Sequence, residues 1–251
     1  LRRTQERIAE AAIRARRKPD EVTLVAVTKA VDLEVVKNLL ELGQFDLGEN
    51  RVQQLLKRAS LLDEQMQRRI AAGNDAPGPV RWHMIGHLQR NKVRQILSLT
   101  RLIHSMDTLR LAEEISARAE KTGQTCEVLV QTNISGEKSK QGVPPAAVPY
   151  LIEQIVSLPN LRVVGLMTMA PLVDNPEQVR RFFVRMRELF EDIRRSRWVG
   201  PEFRHLSMGM SNDFEVAIEE GATLVRIGTA LFEGLAPARL DLASPDADPN
   251  N

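Results

Sequence analysis

Val22-Thr23-Leu24-Val25-Ala26-Val27-Thr28-Lys29 is the stretch that decides the fold: a short aliphatic and β-branched run ending on a threonine and a lysine. A run of this length and character predicts a strand buried on both faces, as in a parallel sheet. Just beyond it, Asp32 is placed to cap a helix whose apolar positions Val35, Val36, Leu39 and Leu40 share one face, and Gly43 ends that helix. A strand followed by a helix is the unit of an α/β fold, and the rest of the chain repeats it.

Upstream, a basic amphipathic helix runs from Leu1 to about Lys18. Downstream, Phe45 to Gly48 reads as a second strand, followed by a long helix from about Arg51. A loop rich in Gly, Pro and Asn (Gly73 to Pro79) leads into a third strand, Arg81 to Ile85, and then a helix around Lys92 to Leu97. Leu102 to Ser105 is the fourth strand, with Asp107 capping the helix after it. Cys126 to Thr132 and Leu161 to Met167 are the fifth and sixth strands; the helix between them carries Val148, Leu151, Ile152, Ile155 and Val156. A helix of mixed charge from Glu177 to Arg195 precedes a seventh strand near Phe203 to Leu206, and Thr223 to Ile227 is the last, with a short helix behind it.

Eight β/α pairs after one extra N-terminal helix predict an α/β fold, a single (β/α)8 TIM barrel. The barrel is expected over residues 1–240, and the Pro-, Asp-, Ala- and Asn-containing segment 241–251 is expected to be a disordered tail. A doubly wound open sheet is the competing arrangement, weakened for dinucleotide binding because no G-x-G-x-x-G follows the first strand.

The bulk numbers exclude several classes. In 251 residues with a formal net charge of +2, the basic residues are interleaved with acidic ones, which argues against nucleic acid as a partner. The single cysteine, Cys126, rules out an internal disulfide and a Cys-rich metal site, and fits a reducing compartment. No apolar run has membrane-spanning length and no signal-peptide pattern opens the chain, so a cytoplasmic location is expected, with no membrane partner. Leu1 is not a start methionine, which leaves room for native residues before it.

A barrel carries its reactive groups at the C-terminal ends of its strands. Lys29 ends the first, and its apolar approach predicts a partly desolvated amine, available uncharged for attack on an aldehyde; snorkelling to the rim or pairing with Glu49 is the structural alternative. After the second strand, Asn50 either hydrogen-bonds a ring hydroxyl or caps the next helix. Ser207-Met208-Gly209-Met210-Ser211-Asn212-Asp213 and Arg226-Ile227-Gly228-Thr229-Ala230 follow strands seven and eight. Small hydroxyls and a glycine ahead of a helix make an anion site, and these are the two loops in which barrels commonly hold phosphate. Ser211 and Asn212 also read as N-caps, with Glu215 closing a capping box.

Several motifs, taken in chain order, resemble the pyridoxal phosphate homeostasis protein family. They are Val25 to Lys29, Phe45 to Gln53, Trp82 to Lys92, Asn133 to Lys138, Gly165 to Pro171, Leu206 to Asp213 and Val225 to Ala230. The resemblance runs from about Val22 to Gly234, and that family in turn resembles the barrel domain of bacterial alanine racemase. It implies pyridoxal 5′-phosphate as cofactor, Lys29 as its Schiff-base lysine and Asn50 beside the ring. It further implies phosphate contacts from Ser207, Gly228 and Thr229, with Met210 and Ser211 nearby, and Arg226 facing the pyridine nitrogen. A permanent cation there disfavours protonation of that nitrogen and leaves the cofactor a weaker electron sink; without the resemblance, Arg226 reads as well as a strand-end arginine in a structural salt bridge. His87 departs from the pattern, standing where the family more often has proline.

His83 and His87 are four apart, but one lies in a strand and the other beyond Gly86, so no metal site is expected. His104 and His205 read as hydrogen-bonded barrel residues, and Met167, Met169, Met208 and Met210 as packing around a cofactor. Two functions then compete. Two-base racemisation needs a proton donor on each face of the substrate. The chain's one tyrosine, Tyr150, lies in a helix away from the strand ends, and there is no room for a second domain. A binding role in storage, buffering and delivery of pyridoxal phosphate is therefore preferred over a racemase or other enzyme using the cofactor, with dependent apo-enzymes as partners and a monomer or weak dimer as the state. A class I aldolase also uses a barrel lysine, but would not require Asn50, Arg226 and paired phosphate loops around it.

Overall fold

In the computed structural model, which describes residues 1–137 and 140–235, α1 (Arg2–Arg14) leads into β1 (Thr23–Val27). The alternation of side chains along β1 divides the core in two. Val25 points into the barrel with Leu102, Leu129, Val164, Met167 and Leu224, while Leu24 and Ala26 join the larger apolar layer between barrel and helices. Each fully buried aliphatic side chain contributes about 1.5–3 kcal/mol, which is why apolar side chains dominate both layers.

The pairs that follow are α2 (Leu33–Glu41), β2 (Asp46–Glu49), α3 (Val52–Ala71), β3 (Arg81–Met84) and α4 (Val93–Ile96). Next come β4 (Thr100–Met106), α5 (Leu109–Thr122), β5 (Cys126–Gln131), α6 (Val148–Ile155) and β6 (Leu161–Met167). The chain completes the ring with α7 (Arg180–Arg195), β7 (His205–Ser207), α8 (Phe214–Glu219) and β8 (Leu224–Ile227). Neighbouring strands are parallel and follow chain order, and β8 pairs with β1, so the sheet closes into a barrel rather than an open doubly wound sheet.

Three local expectations change. Residues 228–235 form turns, and no helix follows β8 among the described residues. The side it would cover is taken by α1, which packs on α8: Arg7 pairs with Glu215 and sits 4.7 Å over the Phe214 ring, and Arg14 pairs with Glu219. The cap of α5 is Thr108 rather than Asp107, because the extended backbone at Thr108 lets its hydroxyl accept from the Leu111 amide at 3.2 Å. Glu215 closes no capping box, since Arg7 takes it and Asp213 is the N-cap of α8. The boundary expected at residue 240 and the tail 241–251 lie outside the described residues. Among the described residues, no helix is long and apolar enough to cross a membrane.

Candidate functional site

A cavity of about 700 Å³ opens at the C-terminal ends of the strands, within the size range of small-molecule sites. Lys29, Asn50, Met210, Ser211, Arg226, Gly228 and Thr229 all line it, together with His87, Gln131, Met169 and Asp213. A crevice between α2 and α3, lined by Leu40, Leu62 and Met66, is only about 20 Å³ and has room for little more than a water.

Lys29 lies two residues beyond β1, and the backbone on both sides of it is pinned from below. Thr28 is buried and its hydroxyl donates to Glu49 Oε1 at 2.5 Å. Arg58, on α3, donates to the Thr28 carbonyl at 2.5 Å, to Glu49 Oε1 at 2.7 Å and to the Val31 carbonyl, while Gln54 Nε2 donates to the Lys29 carbonyl at 2.9 Å. The Lys29 side chain itself is exposed at the mouth; the partial desolvation expected of it is not seen, because it has already left the apolar strand. It does not pair with Glu49 either, since that carboxylate is turned down toward Arg58. Burial pushes the Glu49 carboxyl up, against the opposing pull of Arg58 and Thr28, and its second oxygen has no partner among the described residues. Arg58 was not anticipated, although a signal exists: it interrupts the apolar stripe of Leu55, Ala59 and Leu62 on α3.

Asn50 does not cap α3, whose N-cap is Arg51. Its position is set by Gly86 in the next loop, where any Cβ would stand 2.1 Å from the Asn50 carbonyl oxygen. Glycine alone lets the loops after β2 and β3 touch backbone to backbone and hold Asn50 over the cavity.

On the opposite side, Ser211 Oγ accepts from the Ala230 amide at 3.1 Å, tying the loop after β7 to the loop after β8. Asp213 Oδ1 accepts from the Met210 amide at 2.6 Å and closes the first of these loops. Among the described residues, the Gly228 and Thr229 amides donate to no backbone carbonyl in this turn. Because α8 has only six residues and no described helix opens at Gly228, an anion placed here would meet loop amides and hydroxyls rather than helix dipoles.

Ser207 departs from the expected set. It is fully buried beneath the cavity and does not line it; its Oγ accepts from Arg226 Nη1 at 2.6 Å and lies 2.9 Å from His104 Nδ1. Arg226 is held by Ser207 and by the Thr168 carbonyl at 2.8 Å, and among the described residues it makes no salt bridge. Burial brings its guanidinium down to about 10, with Asp213 pulling it back up, so it stays cationic at neutral pH.

The histidines separate: His87 lines the cavity, while His83 is buried between His104 and Asp46. His205 is less well satisfied than expected, its buried Nδ1 having no partner among the described residues. Of the methionines, Met169 and Met210 line the cavity, Met167 fills the barrel interior and Met208 the outer core. Tyr150 is 70% exposed on α6 and does not line the cavity.

The family model of the alanine racemase N-terminal domain matches residues 3–236. The pyridoxal phosphate homeostasis protein of Aquifex aeolicus is 44% identical over 232 residues, covering 92% of this chain and 95% of that protein. The homologue from Bos taurus, of the same name, is 37% identical, with 92% and 85% covered. Among solved structures, PipY of Synechococcus elongatus, described with PLP bound, superposes with a TM-score of 0.74 at 29% identity, over 90% of this chain and 99% of that one. On these grounds the chain belongs to the pyridoxal phosphate homeostasis protein family, built on the alanine racemase N-terminal barrel.

Proposed function

We propose that the protein binds pyridoxal 5′-phosphate as a Schiff base on Lys29 and takes part in its storage, buffering and delivery, without robust racemase activity. The observation that carries this reading is the donor set of one cavity. An amine at Lys29, amides at Gly228 and Thr229, the Ser211 hydroxyl and the Arg226 cation face the same space. These are the groups that an aldehyde, a phosphate and a pyridine nitrogen require. When bound, the cofactor supplies a reactive aldehyde; the chain's own residues orient and shield it. Asn50 and Met210 complete the contacts, and a PLP-bound relative supports the assignment.

Arg226 keeps the ring nitrogen unprotonated, and Tyr150, exposed on α6 and outside the cavity lining, supplies no second base. Both favour holding the cofactor over turning over an amino acid. The reading includes a cytoplasmic setting, apo-enzymes dependent on the cofactor as acceptors, and a monomer or weak dimer. The test is to incubate the loaded protein with single-enantiomer alanine in D₂O while following optical purity, and in parallel with an apo-enzyme while following its recovery of activity. Transfer without inversion is expected. Fast inversion with deuterium uptake, abolished by Lys29→Ala, would overturn the carrier reading.

A further inference from the structure

Beneath the cavity, the barrel interior holds a continuous line of polar side chains reaching the far end of the sheet. Arg226 Nη1 lies 2.6 Å from Ser207 Oγ, and Ser207 Oγ lies 2.9 Å from His104 Nδ1. His104 Nε2 lies 2.9 Å from His83 Nδ1, and His83 Nε2 lies 3.1 Å from Asp46 Oδ1. Asp46 begins β2 and also takes two bonds from its neighbour in register, Arg81, at 2.9 and 2.6 Å. Four of the five members, Arg226, Ser207, His104 and His83, are buried.

The two ends dictate the direction of every link. A guanidinium only donates, so Ser207 Oγ accepts from Arg226. A carboxylate only accepts, so His83 Nε2 carries the hydrogen that faces Asp46. With Nε2 protonated, a neutral His83 presents Nδ1 as an acceptor, and His104 donates to it from Nε2. His104 Nδ1 is then an acceptor, and the Ser207 hydroxyl hydrogen, which has no other partner among the described residues, goes to it. The opposite orientation requires an imidazolium at His83 and a hydrogen on His104 Nδ1. Ser207 Oγ would then receive two donors while its own hydrogen stayed buried without an acceptor, the costly outcome for a site closed to water.

We propose that Arg226, Ser207, His104, His83 and Asp46 form a one-directional hydrogen-bond relay that braces the Arg226 guanidinium at the cavity, so that Ser207 and His104 are positioning residues for the cofactor ring and not phosphate ligands. The part that concerns the ring rests on the pyridoxal phosphate reading above; the relay itself does not. Each link points from the mouth toward Asp46, so the line delivers no proton to the cavity without inverting every member. It fixes a permanent cation in place at the mouth and stabilises that charge through oriented dipoles ending on a carboxylate.

The test has two arms. Long-range ¹H–¹⁵N correlation spectra of histidine-labelled protein, without added ligand, read the ring tautomers directly, with His87→Gln and His205→Gln removing the other two signals. His83 and His104 are both expected as the Nε2–H form at neutral pH; an Nδ1–H form of His104, or a doubly protonated ring at either, overturns the relay. In the second arm, Ser207→Ala and Ser207→Thr are titrated with pyridoxal 5′-phosphate and with unphosphorylated pyridoxal, followed by absorbance. Ser207→Ala is expected to weaken both ligands by the same factor, about tenfold, as for one bond to a charged group, and Ser207→Thr is expected to restore both. A loss confined to the phosphorylated ligand, or no loss for either, overturns the brace. Should the unsubstituted protein bind neither ligand, the cofactor reading and the brace fail together, while the tautomers still decide the relay.

Discussion

The Arg58 guanidinium and the Glu49 carboxylate lie 2.7 Å apart with both side chains buried, directly under the strand end that presents Lys29. Arg58 also donates to the carbonyls of Thr28 and Val31, so one side chain satisfies a buried charge and sets the backbone of the site. Arg58→Met leaves Glu49 buried without its cation and is expected to lower the unfolding free energy by about 3–5 kcal/mol. The double substitution Arg58→Met, Glu49→Leu should recover most of that stability but not the affinity for pyridoxal 5′-phosphate, because the Thr28 and Val31 carbonyls stay unheld. Denaturant unfolding and ligand titration of the three proteins separate the two effects.

Thr229→Val tests phosphate capture. Loss of one neutral hydrogen bond removes about 0.5–1.5 kcal/mol, and more if the bond is charge-assisted. Binding of pyridoxal 5′-phosphate is expected to weaken accordingly, with affinity for pyridoxal nearly unchanged. Equal losses for the two ligands would remove Thr229 from the phosphate set.

Acid stability follows from the interior of the barrel. Burial holds His104 well below the ordinary imidazole value, with His83 and Arg226 adding to it, and burial with Arg204 beside it brings His205 down to about 4. Both folded values lie below the ordinary 6.5, so as pH falls the unfolded chain takes up these protons first. Stability is therefore expected to decline from about pH 6.5 downward. Burial alone would raise the Asp46 carboxyl, but hydrogen bonds from Arg81 and His83 outweigh it and hold it at about 2, against an ordinary 3.8. Its contribution is complete above 3.8 and is lost as pH falls toward 2, adding a second decline. Denaturant midpoints measured from pH 8 to pH 2 check both windows; a profile level down to pH 4 would contradict the first.

Cys126 begins β5, is buried, and has its thiol pushed up to about 12 by burial, with Glu127 adding to it. The thiolate that alkylating reagents attack is therefore scarce in the folded protein. Iodoacetamide at pH 8 is expected to leave Cys126 unmodified in native protein and to label it readily in denaturant, as read by intact mass.

The alternation of strands and helices was legible because buried parallel strands write themselves as short aliphatic runs, as at Leu24 to Val27 and Val128 to Val130. The mouth was legible for a similar reason: Lys29, Asn50, Ser211 and Thr229 follow such runs directly and line one cavity. Ser207 lies off the cavity because alternation along a strand decides which way a side chain points, and the last residue of β7 faces the barrel interior, not the solvent end. Arg58 and the line from His83 through His104 to Ser207 depend on contacts between residues 9 to 30 and 21 to 103 positions apart, which no local pattern encodes. The place of α1 beside α8 is likewise a long-range fact, carried by the pairing of Arg7 with Glu215.

The central claim, that Lys29 carries pyridoxal 5′-phosphate as a Schiff base, is tested most directly by borohydride reduction of the loaded protein followed by peptide mass mapping. Lys29 is the lysine that lines the cavity among the described residues, whereas Lys37 packs on α2 and Lys92 lies beyond the loop after β3. The pyridoxyl group is expected on the peptide containing Lys29, and Lys29→Ala is expected to lose the visible absorption band while keeping the far-UV circular dichroism of the folded barrel. A pyridoxyl group on Lys37, Lys92 or any other lysine, with Lys29 unmodified, would contradict the assignment.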